Sequence, residues 1–309
     1  MSGCAPRRRW ANLSVVPFPP PLRHWLLAVV ALSTVSTVGA RELVDQTGRH
    51  VSLPDHAHRL VSLAPSITET LYALGLAGRL VGDTDYCDYP PAARAKPHVG
   101  APLNPSLERI VALRPDLVLG TDQANRRETA DQLERLGIPL YGVTANTVEG
   151  TLRSIADLGG ALEWQRPAEA LVASLRARVA AVEHQPRPQQ RARVLFVVWA
   201  HPLITVGKAT FISDAIRCAG GVSVSDDLEG EWPHMQLEEV LARSPDIILF
   251  PRVGGFGPPP GELERLPGWR DLAAVKRHRL YSVSEAIMRT SPRLIDALEE
   301  VARIMKSEK

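Results

Sequence analysis

Residues 107–119 read LERIVALRPDLVL, and residues 237–249 read LEEVLARSPDIIL. Leu, Glu, Ala, Pro and Asp recur at the same offsets, and aliphatic residues replace aliphatic residues between them. Each copy describes a short helix, a turn set by Pro-Asp, and an apolar run with the character of a buried strand. A strand that is apolar at consecutive positions is covered on both faces, as in a parallel sheet. Used once per half, the pattern predicts two related α/β lobes.

The rest of the chain extends that reading. Apolar runs at 60–63, 80–82, 117–119, 140–143, 194–198, 247–250 and 280–283 are expected as strands. Segments 66–74, 107–113, 127–136, 147–158, 167–183, 211–219, 237–242 and 292–305 are expected as helices. Strand–helix alternation of this kind builds parallel α/β sheets. Helical periodicity is clearest where Leu171, Val172, Leu175, Val179 and Val182 recur on one face. A polar, Pro-marked stretch at 185–190 closes the first half. The expected organisation is a leader over 1–40, an N-terminal lobe over 41–146, a helical connector over 147–190 and a C-terminal lobe over 191–309.

The 309 residues include 36 Lys and Arg against 34 Asp and Glu, a formal charge of +2, with 45% hydrophobic and 23% charged residues. That composition excludes a disordered chain. It supplies no basic excess to track phosphates, so no nucleic acid is expected as a partner. Only one apolar stretch approaches the length of a membrane span, which excludes a polytopic membrane protein.

Residues 1–40 hold Arg7, Arg8, Arg9 and Arg23 but no Asp or Glu, then an apolar run over 25–38, then Val38-Gly39-Ala40. This is the layout of a secretory signal peptide, with cleavage expected after Ala40 and a periplasmic mature chain. No Cys follows it, so no lipid anchor is expected. Its removal leaves 32 basic against 34 acidic residues, a charge of −2, and two cysteines, Cys87 and Cys218. They fall in different halves and are read as separate thiols.

Catalytic patterns are missing. Gly254-Gly255-Phe256-Gly257 precedes three prolines and does not open a helix, so it reads as a loop. No cysteine pair has metal spacing, and Ser62 and Ser66 lack the context of a nucleophile elbow. His98, His201 and His234 fall near expected strand ends or loops, but no His/Glu pair has helical ligand spacing. The chain is therefore expected to be no enzyme and to hold no cofactor or resident metal. Aromatic residues say more. Tyr86 follows the strand at 80–82, Trp199 follows the strand at 194–198, and Trp232 precedes the second repeat. Loops at the carboxyl ends of parallel strands bind ligands in α/β folds. An aromatic there either faces a flat or apolar ligand or packs on the neighbouring helix. Glu108 and Glu238 open the short helix of each repeat. There they stabilise the helix dipole, and as a symmetric pair they also suit docking onto a two-fold partner.

The segments VSLAPSITETL (61–71), DYCDYPP (85–91), the first repeat, PLITVGK (202–208) and 232–246 follow one another in a familiar order. From about residue 60 to its end the chain resembles the helical-backbone periplasmic substrate-binding proteins of ABC importers, and within them the branch that carries corrinoids such as cobalamin. Haem and ferric-siderophore carriers share much of the framework. The resemblance implies two Rossmann-like α/β lobes joined by a rigid helix, here 167–183, with the ligand cleft between them. It implies a monomer that delivers its ligand to a permease dimer with ATPase subunits. Glu108 and Glu238 would pair with arginines on the two permease subunits. Tyr86, Trp232, Glu285 and Arg289 match corrinoid contacts, Arg289 within Met288-Arg289-Thr290-Ser291-Pro292-Arg293. Where the corrinoid branch has two tryptophans this chain has Pro102 and Thr121, and Trp199 is expected to replace part of that surface. Haem would instead require an iron ligand from Tyr86, His98, His201 or His234. An anionic siderophore would require cleft arginines, with Arg289 and Arg252 as candidates. A metal-chelatase-like enzyme of related two-lobed design would need a His/Glu cluster in the cytoplasm, which the leader and the scattered histidines argue against.

Overall fold

The computed structural model describes residues 40–186, 189–252 and 261–307. The expected leader apart from Ala40, the middle of the 185–190 stretch and Gly254-Gly255-Phe256-Gly257 lie outside the described residues. Among the described residues, no helix is long and apolar enough to cross a membrane.

Two four-stranded parallel sheets carry the fold. In the first the strand order is Leu80–Gly82, Leu60–Ser62, Leu117–Thr121, Leu140–Val143. In the second it is Val222–Ser223, Arg193–Phe196, Ile247–Pro251, Leu280–Val283. Counted along the chain within each sheet, both orders are 2-1-3-4, and every pairing is parallel. The repeat supplies the same third strand in both. Only the two-residue edge strand Val222–Ser223 escapes the sequence reading, because two residues show no periodicity.

Side-chain alternation divides each sheet between two cores. In the first sheet Leu60, Leu117, Leu119, Tyr141 and Val143 point inward, while Val61, Leu63, Val118 and Leu140 point to an outer cluster. In the second, Val194, Phe196, Ile247, Leu249 and Val283 point inward and Leu195, Val197, Ile248 and Phe250 point outward. The two inward faces belong to one continuous cluster. It is completed by Leu152 and Ile155 of the helix Val148–Ala161, Val172 and Val179 of Gln165–Glu183, and Leu298 and Val301 of Leu294–Ser307. A shared, close-packed core of this kind transmits strain between lobes rather than absorbing it.

The interlobe helix begins at Gln165, two residues before its expected start. Trp164 caps its entry, donating from Nε1 to the Leu74 carbonyl at 2.8 Å while Arg79 lies 5.1 Å over its ring. On the far side Arg178 reaches Asp296 Oδ1 at 2.6 Å and Glu299 Oε2 at 2.8 Å. The helix is thus tied to both lobes along its length.

The repeat is closely reproduced at its turn. Its helices are Leu107–Ala112 and Leu237–Arg243. Arg114 and Ser244, at the same offset, adopt left-handed backbone with φ of 47° and 44°. Asp116 accepts hydrogen bonds from the amides of His58 and Arg59, both at 2.8 Å, and Asp246 accepts one from Arg193 at 2.9 Å. The two arginines return the contact. Arg59 donates to the carbonyls of Leu113 and Arg114 at 2.6 and 2.9 Å, and Arg193 donates from Nη2 to that of Arg243 at 2.7 Å. Each guanidinium therefore covers carbonyls that the end of a helix leaves unpaired.

Three short hairpins were not expected: Ala40–Val44 with His50–Pro54, Gly100–Ala101 with Asn104–Pro105, and Trp199–Ala200 with Leu203–Ile204. Cys87 and Cys218 are both buried and are not joined to one another in a disulfide, in line with the reading of two separate thiols. Burial pushes both thiols up, that of Cys218 to about 12.

Candidate functional site

A cavity of about 520 Å³ opens between the two sheets at the carboxyl ends of their strands. Its N-terminal wall is made by Ala64, Pro65, Ser66, Tyr86, Ala101, Pro102, Leu103, Thr121, Gln123, Ala124 and Asn146. Its C-terminal wall is made by Thr210, Phe211, Glu231, Trp232, Glu285, Met288, Arg289 and Thr290. One helix from each lobe points its start at the space, Pro65–Ala73 and Phe211–Cys218. Each contributes a partial positive charge of about half an elementary charge. Tyr86 and Trp232 remain 59% and 41% exposed. Large aromatic side chains left that open on facing walls are surface available to a ligand, not core packing.

Arg289 lies in a network that joins the lobes. Its Nη1 stands 2.6 Å from Glu69 Oε1 and 2.8 Å from Asp88 Oδ1. Glu69 is almost wholly buried and also accepts from Ser291 Oγ at 2.6 Å and Arg293 Nη1 at 3.1 Å. Arg293 lies over the Tyr89 ring, 3.7 Å from its centroid, and 3.8 Å from Glu285 Oε1. Burial opposes the charge on Arg289, but its bonds to Asp88 and Glu69 prevail and hold it above the ordinary guanidinium value. Burial likewise opposes the charge on Asp88, and the Arg289 hydrogen bond overcomes it and holds the carboxyl below the ordinary range. A buried carboxylate is tolerable only where cations and donors surround it in this way.

Four of the five ligand-facing residues expected from sequence line the cavity: Tyr86, Trp232, Glu285 and Arg289. Trp199 does not. It sits in its own small hairpin and donates from Nε1 to the His201 carbonyl at 2.8 Å, so the strand ends before the tryptophan can turn inward. Pro102 and Thr121 do line the wall, which leaves that side without the aromatic surface expected from Trp199. Arg252 is also elsewhere, bound to Glu300 Oε1 at 2.6 Å. His98, His201 and His234 are not in the lining. His98 Nδ1 stands 2.7 Å from Asp83, and His201 Nε2 stands 3.7 Å from Glu262. Among the described residues, no group of three or more His, Cys, Asp or Glu side chains is placed to hold a metal.

Glu108 and Glu238 lie away from the cavity and are both exposed. Each has an exposed aliphatic residue one turn further on, Val111 at 43% and Leu241 at 38%. Sequence reasoning missed that second symmetric pair, although the repeat itself aligns them. It also missed Glu69, Asp88 and Arg293.

The comparisons with known proteins agree with this geometry. The family model described as periplasmic binding protein matches residues 60–286. A vitamin B12-binding protein of Vibrio campbellii is 28% identical over 249 residues, covering 79% of this chain and 88% of that one. Among solved structures, the periplasmic vitamin B12-binding protein of Vibrio cholerae matches with a TM-score of 0.71 at 26% identity, covering 82% of this chain and 98% of that one. The apo periplasmic haem-binding protein of Roseiflexus sp. RS-1 matches with a TM-score of 0.73 at 27% identity, covering 82% and 99%.

Proposed function

The chain belongs to the periplasmic binding protein family, and we propose that as the substrate-binding protein of an ABC importer it carries a corrinoid. Members of the family bind their cargo without a cofactor, so the corrinoid is ligand and not prosthetic group. The observation that supports this reading is the pairing of Tyr86 and Trp232 on facing walls of a cavity in which the one lining cation among the described residues, Arg289, is already matched by carboxylates. Aromatic faces suit the flat macrocycle, and Gln123, Asn146, Thr290 and Glu285 suit the neutral amides around its rim. The relatives named for vitamin B12 point the same way.

A second reading has one observation in its favour. Tyr86 lines the cavity and carries a phenol able to ligate haem iron. Among the described residues no histidine shares the lining, so Tyr86 alone of the iron-ligand candidates remains in place. Titrating the purified protein with cyanocobalamin, haemin and a ferric tricatecholate by tryptophan fluorescence separates these cargoes. Saturable quenching by cyanocobalamin, tighter than by the other two, is expected. Binding of haemin with a phenolate-type absorption spectrum, and none of cyanocobalamin, would overturn the proposal.

Delivery would use the outer faces of the lobes. Glu108 and Glu238, each beside an exposed aliphatic residue, offer two equivalent charged contacts to arginines on a two-fold permease.

A further inference from the structure

Glu69 does not line the cavity, yet it controls the cation that does. Its side chain is 1% exposed and stands 2.6 Å from Arg289 and 3.1 Å from Arg293. Asp88 adds a second carboxylate to Arg289 at 2.8 Å. Arg293 is held aside, stacked over Tyr89. Among the described residues, the cavity therefore sees one arginine whose charge is already matched, and two lining carboxylates, Glu231 and Glu285. The two helix starts add partial positive charge only. A ligand carboxylate would have to displace a carboxylate that is buried and fully hydrogen-bonded. A ligand amide would not.

We propose that Glu69 sets the charge class of the cargo: by reserving Arg289 for the protein's own carboxylate, it makes the cavity accept a macrocycle rimmed with neutral amides and reject one of the same shape bearing carboxylates. This rests on the corrinoid reading and extends it. Glu69 acts through Arg289 and is a positioning residue, not a ligand contact.

The test uses two ligands that differ by one group, cyanocobalamin and its monocarboxylate with a single propionamide hydrolysed. The unmodified protein is expected to bind the amide form about tenfold tighter or more. Glu69→Gln releases Arg289 and should shrink that ratio by about tenfold, and Arg289→Gln added to it should remove the gain. A purely structural role would weaken both ligands alike, so an unchanged ratio in Glu69→Gln overturns the proposal. Asp88→Asn, on a half-exposed loop, should shift the ratio in the same direction and serves if Glu69→Gln does not fold. If the unmodified protein binds haemin and neither corrinoid, the corrinoid reading fails. The charge rule is then read separately on haemin against its dimethyl ester, which should bind more tightly to the unmodified protein and lose that advantage in Glu69→Gln.

Discussion

The two lobes are alike on their outer faces and unlike on their inner ones. Outside, each presents a short helix with an exposed glutamate and, one turn on, an exposed aliphatic residue, closed by a left-handed residue at the same offset. Inside, among the described residues, the N-terminal wall of the cavity carries no charged side chain, whereas Glu231, Glu285 and Arg289 all belong to the C-terminal wall. The N-terminal lobe is not short of charge near the cavity. It keeps Glu69, Asp83 and Asp88 behind its wall, the first two with fully or almost fully buried side chains. The difference separates two physical demands. The two-fold permease proposed as partner would be met by two equal faces, which the intact repeat supplies. The macrocycle proposed as cargo would be met by two unequal walls, where the repeat is broken.

The largest expected effect tests the likeness outside. Glu108→Lys and Glu238→Lys should each nearly abolish stimulation of the transporter's ATPase in liposomes while leaving corrinoid affinity in solution unchanged. The two variants should match one another. A variant that still stimulates, or a pair that differ widely, breaks the symmetry argument, because a reversed charge facing an arginine is repulsive.

Next comes the unlikeness inside. Trp232→Ala should weaken corrinoid binding by about 1–3 kcal/mol through lost apolar burial. Its effect on thermal stability without ligand should be small, since the ring is already open to solvent. Tyr86→Phe keeps the face and removes the phenol. Corrinoid affinity should then change by less than about 1 kcal/mol, whereas a haem carrier would lose its iron ligand. Calorimetric titration of both variants decides between a wall that stacks and a wall that ligates.

The smallest effect concerns the charge kept behind the N-terminal wall. Burial pushes the Asp83 carboxyl up from 3.8 to about 6, against the pull of its hydrogen bond to His98 and of Lys96. A carboxyl whose folded value is raised favours the neutral form, so its contribution to stability is present at low pH and is lost as pH rises from about 4 through about 6. Asp83→Asn should flatten that part of the stability profile, measured as urea midpoints from pH 4 to pH 7. A variant whose profile keeps the slope of the unmodified protein would show that Asp83 is ionised throughout.

Much of this was legible in the residues. The repeat fixes two lobes because Pro-Asp turns and consecutive aliphatics leave few other structures. The expected strands recur within a residue or two, and the one expected over 194–198 stops at Phe196, ahead of the hairpin that carries Trp199 away. Tyr86 and Trp232 lie in the cavity lining, where the loop after the strand at 80–82 and the segment before the second repeat put them. Glu69 was not found because its partners lie 220 to 224 residues along the chain. A signal was nonetheless present. Glu69 is the sole charge in the helix Pro65–Ala73, and Ile67, Thr68, Glu69, Thr70 and Leu71 are buried in succession. A helix without a polar face has no solvent side to which a carboxylate can point. Arg59 and Arg193 were missed for a simpler reason: an arginine before a strand looks like any solvated basic residue until the helix end it covers is in place.

Those two arginines also belong to the shorter circuits of the fold. With Asp116 and Asp246 they close loops of 57 and 53 residues, each wholly inside one lobe. The contacts of Glu69 with Arg289 and Ser291 close loops of 220 and 222 residues. The entropy of closure rises with separation, and distant contacts form slowly for that reason. Each lobe can knot its own short circuit first, and the cavity exists only once the longest circuit has been drawn shut.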